Sequence, residues 1–86
     1  MKTRIKDLRE DHDLSQKNIS DFLNISQVAY SYYEIEKRGI PLETLSKLAD
    51  YYGTSVDYLL YRTSVFSPYP KDVAASNNTE KKTVNV

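Results

Sequence analysis

The chain has 86 residues, and its 12 basic and 12 acidic side chains give a formal net charge of zero. This length allows one small domain, and the absence of cysteine excludes a disulfide framework and thiolate metal ligands. No run of apolar residues is long enough for a signal peptide or a membrane span, so the expected compartment is the cytoplasm.

The first predicted helix covers residues 3–11, and two shorter helices are predicted over residues 16–23 and 27–35. Ser15 and Ser26 can cap the two shorter helices, because a serine hydroxyl accepts a hydrogen bond from a first-turn amide. Between them, Asn24 suits the left-handed conformation that ends a helix. Two short helices joined by so tight a break predict a helix-turn-helix.

Apolar side chains recur at helical spacing in all three helices. Small Ser20 would allow the second and third helices to cross closely. The side chains expected to face a core are Ile5 and Leu8 in the first helix, Ile19, Phe22 and Leu23 in the second, and Tyr30 and Tyr33 in the third.

The outer face of the third helix is uncharged, although an ordinary solvated helix would carry Lys and Glu there. An amide, methyl groups and hydroxyls are the groups that read base edges in a DNA major groove. The candidate base-reading residues are Gln27, Val28, Ser31 and Tyr32. The alternatives are that Gln27 is merely solvated in the first turn and that Val28 packs against the preceding helix.

The loop over residues 36–41 contains a glycine and a proline and leads into two more predicted helices. The fourth covers residues 42–52 and ends at Gly53, and Ser55 can cap the fifth. The side chains expected in the core are Leu42, Leu45, Leu48, Ala49 and Tyr52 in the fourth helix and Val56, Leu59 and Leu60 in the fifth.

Tyrosine accounts for 8 of the 86 residues. Large rings can fill gaps in a small core, which is the expected role of Tyr30, Tyr33 and Tyr52. Three others are harder to bury in so small a bundle and are candidates for an interface with a second subunit. These are Tyr51, Tyr58 and Tyr61.

Helical periodicity disappears after residue 62. We therefore predict a domain over residues 1–62 and a mobile or partner-binding tail over residues 63–86. Within the tail, an apolar cluster has two alternatives: it remains mobile, or it folds back on the domain or on a partner. The cluster consists of Val65, Phe66 and Tyr69.

A series of short motifs runs in order through the chain: Ile5, Leu8 and Arg9; Leu14, Ser15 and Gln16; Ile25 and Ser26; Glu34; Lys37 and Arg38; Leu42, Glu43, Thr44 and Leu45; Leu48 and Ala49; and residues 55–60. In this order and spacing they resemble the lambda-repressor and Cro-like helix-turn-helix proteins, also called the XRE type. The resemblance covers about residues 3–62. It implies an all-α, five-helix bundle that binds double-stranded DNA as a small prokaryotic or phage transcriptional regulator, typically a repressor.

The resemblance also implies roles for single residues. Arg9 should pair with Glu34 and tie the first helix to the third. Gln16 matches the family's phosphate-clamping residue, and Gln27 matches a position that contacts bases. The residues expected at the DNA backbone are Gln16, Lys17, Ser26, Lys37 and Arg38.

Two positions depart from the family pattern. The family usually has glycine or asparagine where Asp13 stands, and it commonly has glycine where Glu36 stands, so the helix end before Lys37 is not fixed by the resemblance. The zero net charge is also unusual for a DNA-binding protein. It is unevenly spread, because residues 1–9 carry four basic side chains and one acidic side chain.

Other classes of function have less support. One histidine, no cysteine and no nucleophile, phosphate-loop or metal-ligand spacing leave no candidate catalytic residue, cofactor or metal. A single reading helix with few charges should bind weakly, which favours a homodimer on an inverted repeat. The alternatives are an antitoxin or anti-repressor that binds a protein partner through its tail, and the N-terminal fragment of a larger ligand-sensing or self-cleaving repressor.

Overall fold

A computed structural model describes residues 2–68 and Pro70 of the chain. Within these residues the secondary structure consists of five helices and no strand, so the predicted all-α, five-helix bundle is confirmed. The helices are α1 (Ile5–Asp11), α2 (Gln16–Leu23), α3 (Gln27–Glu34), α4 (Leu42–Tyr52) and α5 (Val56–Leu59).

Serine residues cap the N-termini of three helices, as the sequence predicts. Ser15 accepts a hydrogen bond of 3.0 Å from the amide of Asn18, whose side chain accepts one of 2.8 Å from the Ser15 amide. This reciprocal capping box satisfies two amides that would otherwise lack a partner. Ser26 and Ser55 cap α3 and α5 with single hydrogen bonds of 3.0 Å.

All five helices end in the same way. One or two residues past each end, a residue adopts the left-handed conformation, and the amide that follows it donates to the carbonyl five residues earlier. This pair of features defines the Schellman motif, in which the left-handed residue is usually glycine. The left-handed residues are Asp13 (φ 56°), Asn24 (φ 59°), Glu36 (φ 63°), Gly53 (φ 69°) and Tyr61 (φ 61°).

Glu36 occupies a position where a Cβ atom is unfavourable. The variant Glu36→Gly is expected to be more stable than Glu36→Ala by about 1 kcal/mol, since both lack the carboxylate and only glycine adopts this conformation without strain. Urea unfolding of the two variants measures the difference. Equal free energies of unfolding would contradict a left-handed Glu36.

The core takes one completely buried side chain from each helix. These are Ile5, Ile19, Tyr30, Leu48 and Leu59 in chain order. Around them pack the other buried apolar residues, and Ser20 is also buried on α2. Its Oγ atom donates to the carbonyl of Lys17, so the hydroxyl is satisfied without a partner on α3.

Two residues predicted in the core are exposed. Phe22 is 46% exposed because the buried face of α2 is centred between Ile19, Ser20 and Leu23, which turns residue 22 toward its edge. Leu42 is 74% exposed because it is the first residue of α4 and lies at the margin of the buried stripe.

The two ends of the domain are joined through Arg4. Its amide donates to the carbonyl of Leu59, and its guanidinium Nε donates to the carbonyl of Tyr58, both at 2.8 Å. The same guanidinium lies 4.2 Å from the ring centroid of Tyr58 and 4.1 Å from that of Tyr61. Two hydrogen bonds and two cation–π contacts thus connect the start of α1 to the end of α5.

The segment after α5 is partly packed against the domain. The rings of Phe66 and Tyr58 are 5.3 Å apart, and the Phe66 carbonyl accepts a hydrogen bond from the hydroxyl of Thr54. Val65 is exposed. Tyr69 and residues 71–86, which include most of the predicted mobile tail, lie outside the described residues.

Candidate nucleic-acid interface

Helix α3 presents an uncharged surface to solvent. Its buried side is held by Tyr30 and Tyr33, whose rings meet edge to face at 6.5 Å. On the other side Gln27 and Val28 are exposed, and Ser31 is half-buried. The Ser31 hydroxyl donates to the Val28 carbonyl at 2.7 Å, so only its acceptor lone pairs remain for a ligand.

Arg9 and Glu34 form a bidentate ion pair between α1 and α3. The Nε atom of Arg9 lies 2.6 Å from Oε2 of Glu34, and Nη2 lies 3.1 Å from Oε1. A third nitrogen, Nη1, donates to the carbonyl of Leu14. The side chains of Arg9 and Glu34 are only 12% and 2% exposed, so this pair fixes α3 against α1 and the start of α2.

Gln16 shares the same carboxylate. Its Nε2 atom donates to Oε1 of Glu34 at 3.0 Å, which ties the first residue of α2 to the last residue of α3. The hydroxyl of Tyr30 is buried beside the carboxylate without the geometry of a direct hydrogen bond. Burial alone would raise the pKa of Glu34, but the hydrogen bonds from Arg9 and Gln16 outweigh it and hold this pKa below its ordinary value.

A basic cluster lies just past the end of α3. The Nζ atom of Lys37 is 5.1 Å from the ring centroid of Tyr32, and the guanidinium carbon of Arg38 is 5.3 Å from it. At the start of α2, Lys17 makes an exposed ion pair of 3.2 Å with Asp21, a contact that contributes little stability and separates easily.

A family model for the helix-turn-helix matches residues 5–59, which is more than half of the chain. The chain belongs to the helix-turn-helix family. It is of the XRE type, as its sequence indicated, and α2 and α3 are the two helices of the motif.

Curated members of this helix-turn-helix family resemble the chain over most of its length. It is 42% identical over 60 residues to the SPbeta prophage-derived uncharacterized HTH-type transcriptional regulator YonR of Bacillus subtilis, a match covering 70% of this chain and 56% of YonR. It is 33% identical over 58 residues to the cryptic phage CTXphi transcriptional repressor RstR of Vibrio cholerae, covering 67% of this chain and 52% of RstR.

A third relative is the HTH-type transcriptional regulator ImmR of Bacillus subtilis, which is 33% identical over 84 residues, covering 95% of this chain and 60% of ImmR. The chain thus spans little more than half the length of these relatives. No solved structure matches the chain.

The predicted site residues of this helix-turn-helix protein fall into separate groups. Gln27, Val28 and Ser31 share the exposed side of α3, whereas Gln16 lies beside the ion pair. The three tyrosines predicted at a subunit interface divide into two groups. Tyr51 packs on Phe22, whereas Tyr58 and Tyr61 are joined by a backbone hydrogen bond of 3.2 Å and both contact Arg4.

The contact of Tyr32 with Lys37 and Arg38 was not predicted from the sequence. Separations of five and six residues do not bring side chains together on a continuous helix, so no periodicity signals them. The available signal was the resemblance, which places a glycine, and hence a left-handed turn, at residue 36.

The described residues show no other obvious ligand site. Over residues 2–68 and Pro70, no group of His, Asp or Glu side chains is arranged to bind a metal ion, and the surface has no pocket. In the same part of the chain, every helix is too short or too polar to cross a membrane.

Proposed function

We propose that this protein is a cytoplasmic, sequence-specific transcriptional repressor that inserts α3 into the major groove of double-stranded DNA. The observation that supports it best is the exposed, uncharged side of α3, opposite two buried tyrosines. Membership in the helix-turn-helix family supports it too, as do the relatives named as transcriptional regulators and, for RstR, as a repressor.

Direct base contacts come from the exposed side of α3. The Gln27 amide forms two hydrogen bonds to one adenine, one with N6 and one with N7. Val28 packs against the methyl group of thymine. The Ser31 hydroxyl, which already donates to a carbonyl of its own helix, accepts a hydrogen bond from an adenine or cytosine amino group.

Backbone contacts flank these base contacts. Gln16 uses one amide hydrogen on Glu34, and the second is available for a phosphate oxygen together with the first-turn amides of α2. Lys17 in the first turn of α2 and Ser26 at the start of α3 contact further phosphates. Beyond α3, Lys37 and Arg38 bind the next phosphates.

Dimerisation supplies the affinity that a single helix lacks. One bidentate base contact contributes only about 1–3 kcal/mol. Two subunits related by a two-fold axis would place their α3 helices about 34 Å apart, one turn of DNA, and read an inverted repeat. The candidate interface residues remain Tyr51, Tyr58 and Tyr61, of which the first and last are the most exposed.

Selection from random double-stranded DNA, followed by sequencing at a stated salt concentration, tests this function. The wild type is expected to enrich an inverted repeat. The variant Lys37→Gln with Arg38→Gln is expected to enrich the same motif at lower yield, because phosphate contacts add affinity without sequence preference. A folded wild-type protein that enriches no motif would overturn the proposal and direct the search to a protein partner.

A further inference from the structure

Tyr32 contacts both basic residues that follow α3. The Lys37 ammonium and the Arg38 guanidinium each lie within 5.3 Å of its ring centroid, inside the range of cation–π attraction. One ring thus contacts two cations. The ring of Tyr61 also lies near two cations, Lys2 at 5.8 Å and Arg4 at 4.1 Å, but there Arg4 shares its guanidinium with a second ring, that of Tyr58.

The backbone of Tyr32 fixes the same two residues. Its carbonyl accepts the amide of Lys37 at 2.9 Å and that of Arg38 at 3.3 Å. These bonds form because left-handed Glu36 reverses the chain at the end of α3. One residue therefore orients both the main chain and the charged ends of the pair.

Two like charges repel, and two long flexible side chains would otherwise spread into solvent. The negative face of an aromatic ring attracts each cation and keeps both near it. Binding then loses less side-chain entropy, since part of the ordering has taken place before the ligand arrives. Two cations held together at the edge of α3 form a site of concentrated positive charge for one phosphate or two neighbouring ones.

We infer that Tyr32 is a positioning residue, which holds Lys37 and Arg38 ready for the DNA backbone rather than reading a base itself. The inference rests on the proposed function, because it assigns the pair's ligand as DNA phosphate. Tyr32 then contributes to the affinity for DNA and not to base preference, which is the role expected from the sequence.

Two substitutions separate these roles. Tyr32→Phe keeps the ring and loses the hydroxyl, whereas Tyr32→Leu keeps a large apolar side chain that favours a helix and loses the ring. Against the duplex enriched by the wild type and against a scrambled duplex, Tyr32→Leu is expected to lower affinity by the same factor, about three- to tenfold, and Tyr32→Phe by less than about twofold. Phe22→Leu, which removes an exposed ring that packs on another ring and not on a cation, is the matched control.

A double-mutant cycle tests whether Tyr32 acts through the pair. In the background Lys37→Gln with Arg38→Gln, Tyr32→Leu is expected to have no further effect on affinity. The inference is overturned if Tyr32→Leu changes the preferred base at one position, if Tyr32→Phe weakens binding as much as Tyr32→Leu, or if the effect persists in that background.

Nuclear magnetic resonance of the free protein tests whether Lys37 and Arg38 lie beside the Tyr32 ring in the absence of DNA. Ring-current shifts are expected for the side-chain methylene protons of Lys37 and Arg38 in wild type and Tyr32→Phe, and their loss is expected in Tyr32→Leu. Absence of these shifts in the wild type overturns the inference. If the shifts are present and no DNA binds, the ring-held pair is established, and the proposed function and the phosphate role both fail.

Discussion

Replacement of Arg9 by methionine is expected to leave the domain largely unfolded at room temperature. The substitution keeps an apolar side chain of similar length but leaves the Glu34 carboxylate, only 2% exposed, without its bidentate partner. Breaking a buried ion pair in this way costs about 3–5 kcal/mol. A domain of this size has a total stability of about the same magnitude, about 3–5 kcal/mol. Far-ultraviolet circular dichroism and urea unfolding measure the loss.

Two further variants show whether the unpaired buried charge of Glu34 causes the loss of stability in Arg9→Met. Arg9→Met combined with Glu34→Met is expected to recover much of the stability, because apolar side chains often replace a buried ion pair without loss. Lys17→Met breaks the exposed pair with Asp21 and is expected to cost less than about 1 kcal/mol. An Arg9→Met protein as stable as Lys17→Met would show that the buried pair contributes little.

Gln27→Ala is expected to relax the base preference of the protein at one position in each half-site. The amide makes two hydrogen bonds to one adenine in the proposed complex, worth about 1–3 kcal/mol, or roughly 5- to 150-fold in affinity. A symmetric dimer loses this free energy twice. Affinity measured on the selected operator and on its single-base variants at one salt concentration reveals the change.

Gln16→Ala is the matched control, since it makes the same truncation one helix earlier. It removes the proposed phosphate contact and is expected to weaken all sequences by a similar factor. Because Gln16 also donates to Glu34, its folding must be verified by circular dichroism. Base preferences of Gln27→Ala identical to those of the wild type would exclude Gln27 as a base-reading residue.

Most helix boundaries were predictable because they depend on local chemistry, although α1 begins at Ile5 and not at residue 3. A serine before a helix and an asparagine, or a glycine, after one act on amides and carbonyls a few residues away, and Ser15, Asn24 and Gly53 behave as their types predict. The exposure of Phe22 and Leu42 was not predictable in the same way. Periodicity gives the direction of a buried stripe but not its width, which depends on how closely the neighbouring helices approach.

The candidate interface was only partly predictable from the sequence. The uncharged side of α3 follows from helical spacing, so the outward positions of Gln27 and Val28 could be predicted from the sequence alone. The basic cluster at Tyr32 depends on a reversal of the chain at Glu36. A glutamate gives no local signal for a left-handed residue, and the contacts that follow from it were therefore missed.

The contacts of Arg4 also bear on the order in which the domain forms. They join residues 54 positions apart in the chain, and the entropy lost on closing a loop grows with the number of residues it encloses. The two motif helices, by contrast, pack through near neighbours and can form early. The contacts of Arg4 with Tyr58 are therefore expected to form late in folding, after α2 and α3 have already packed together.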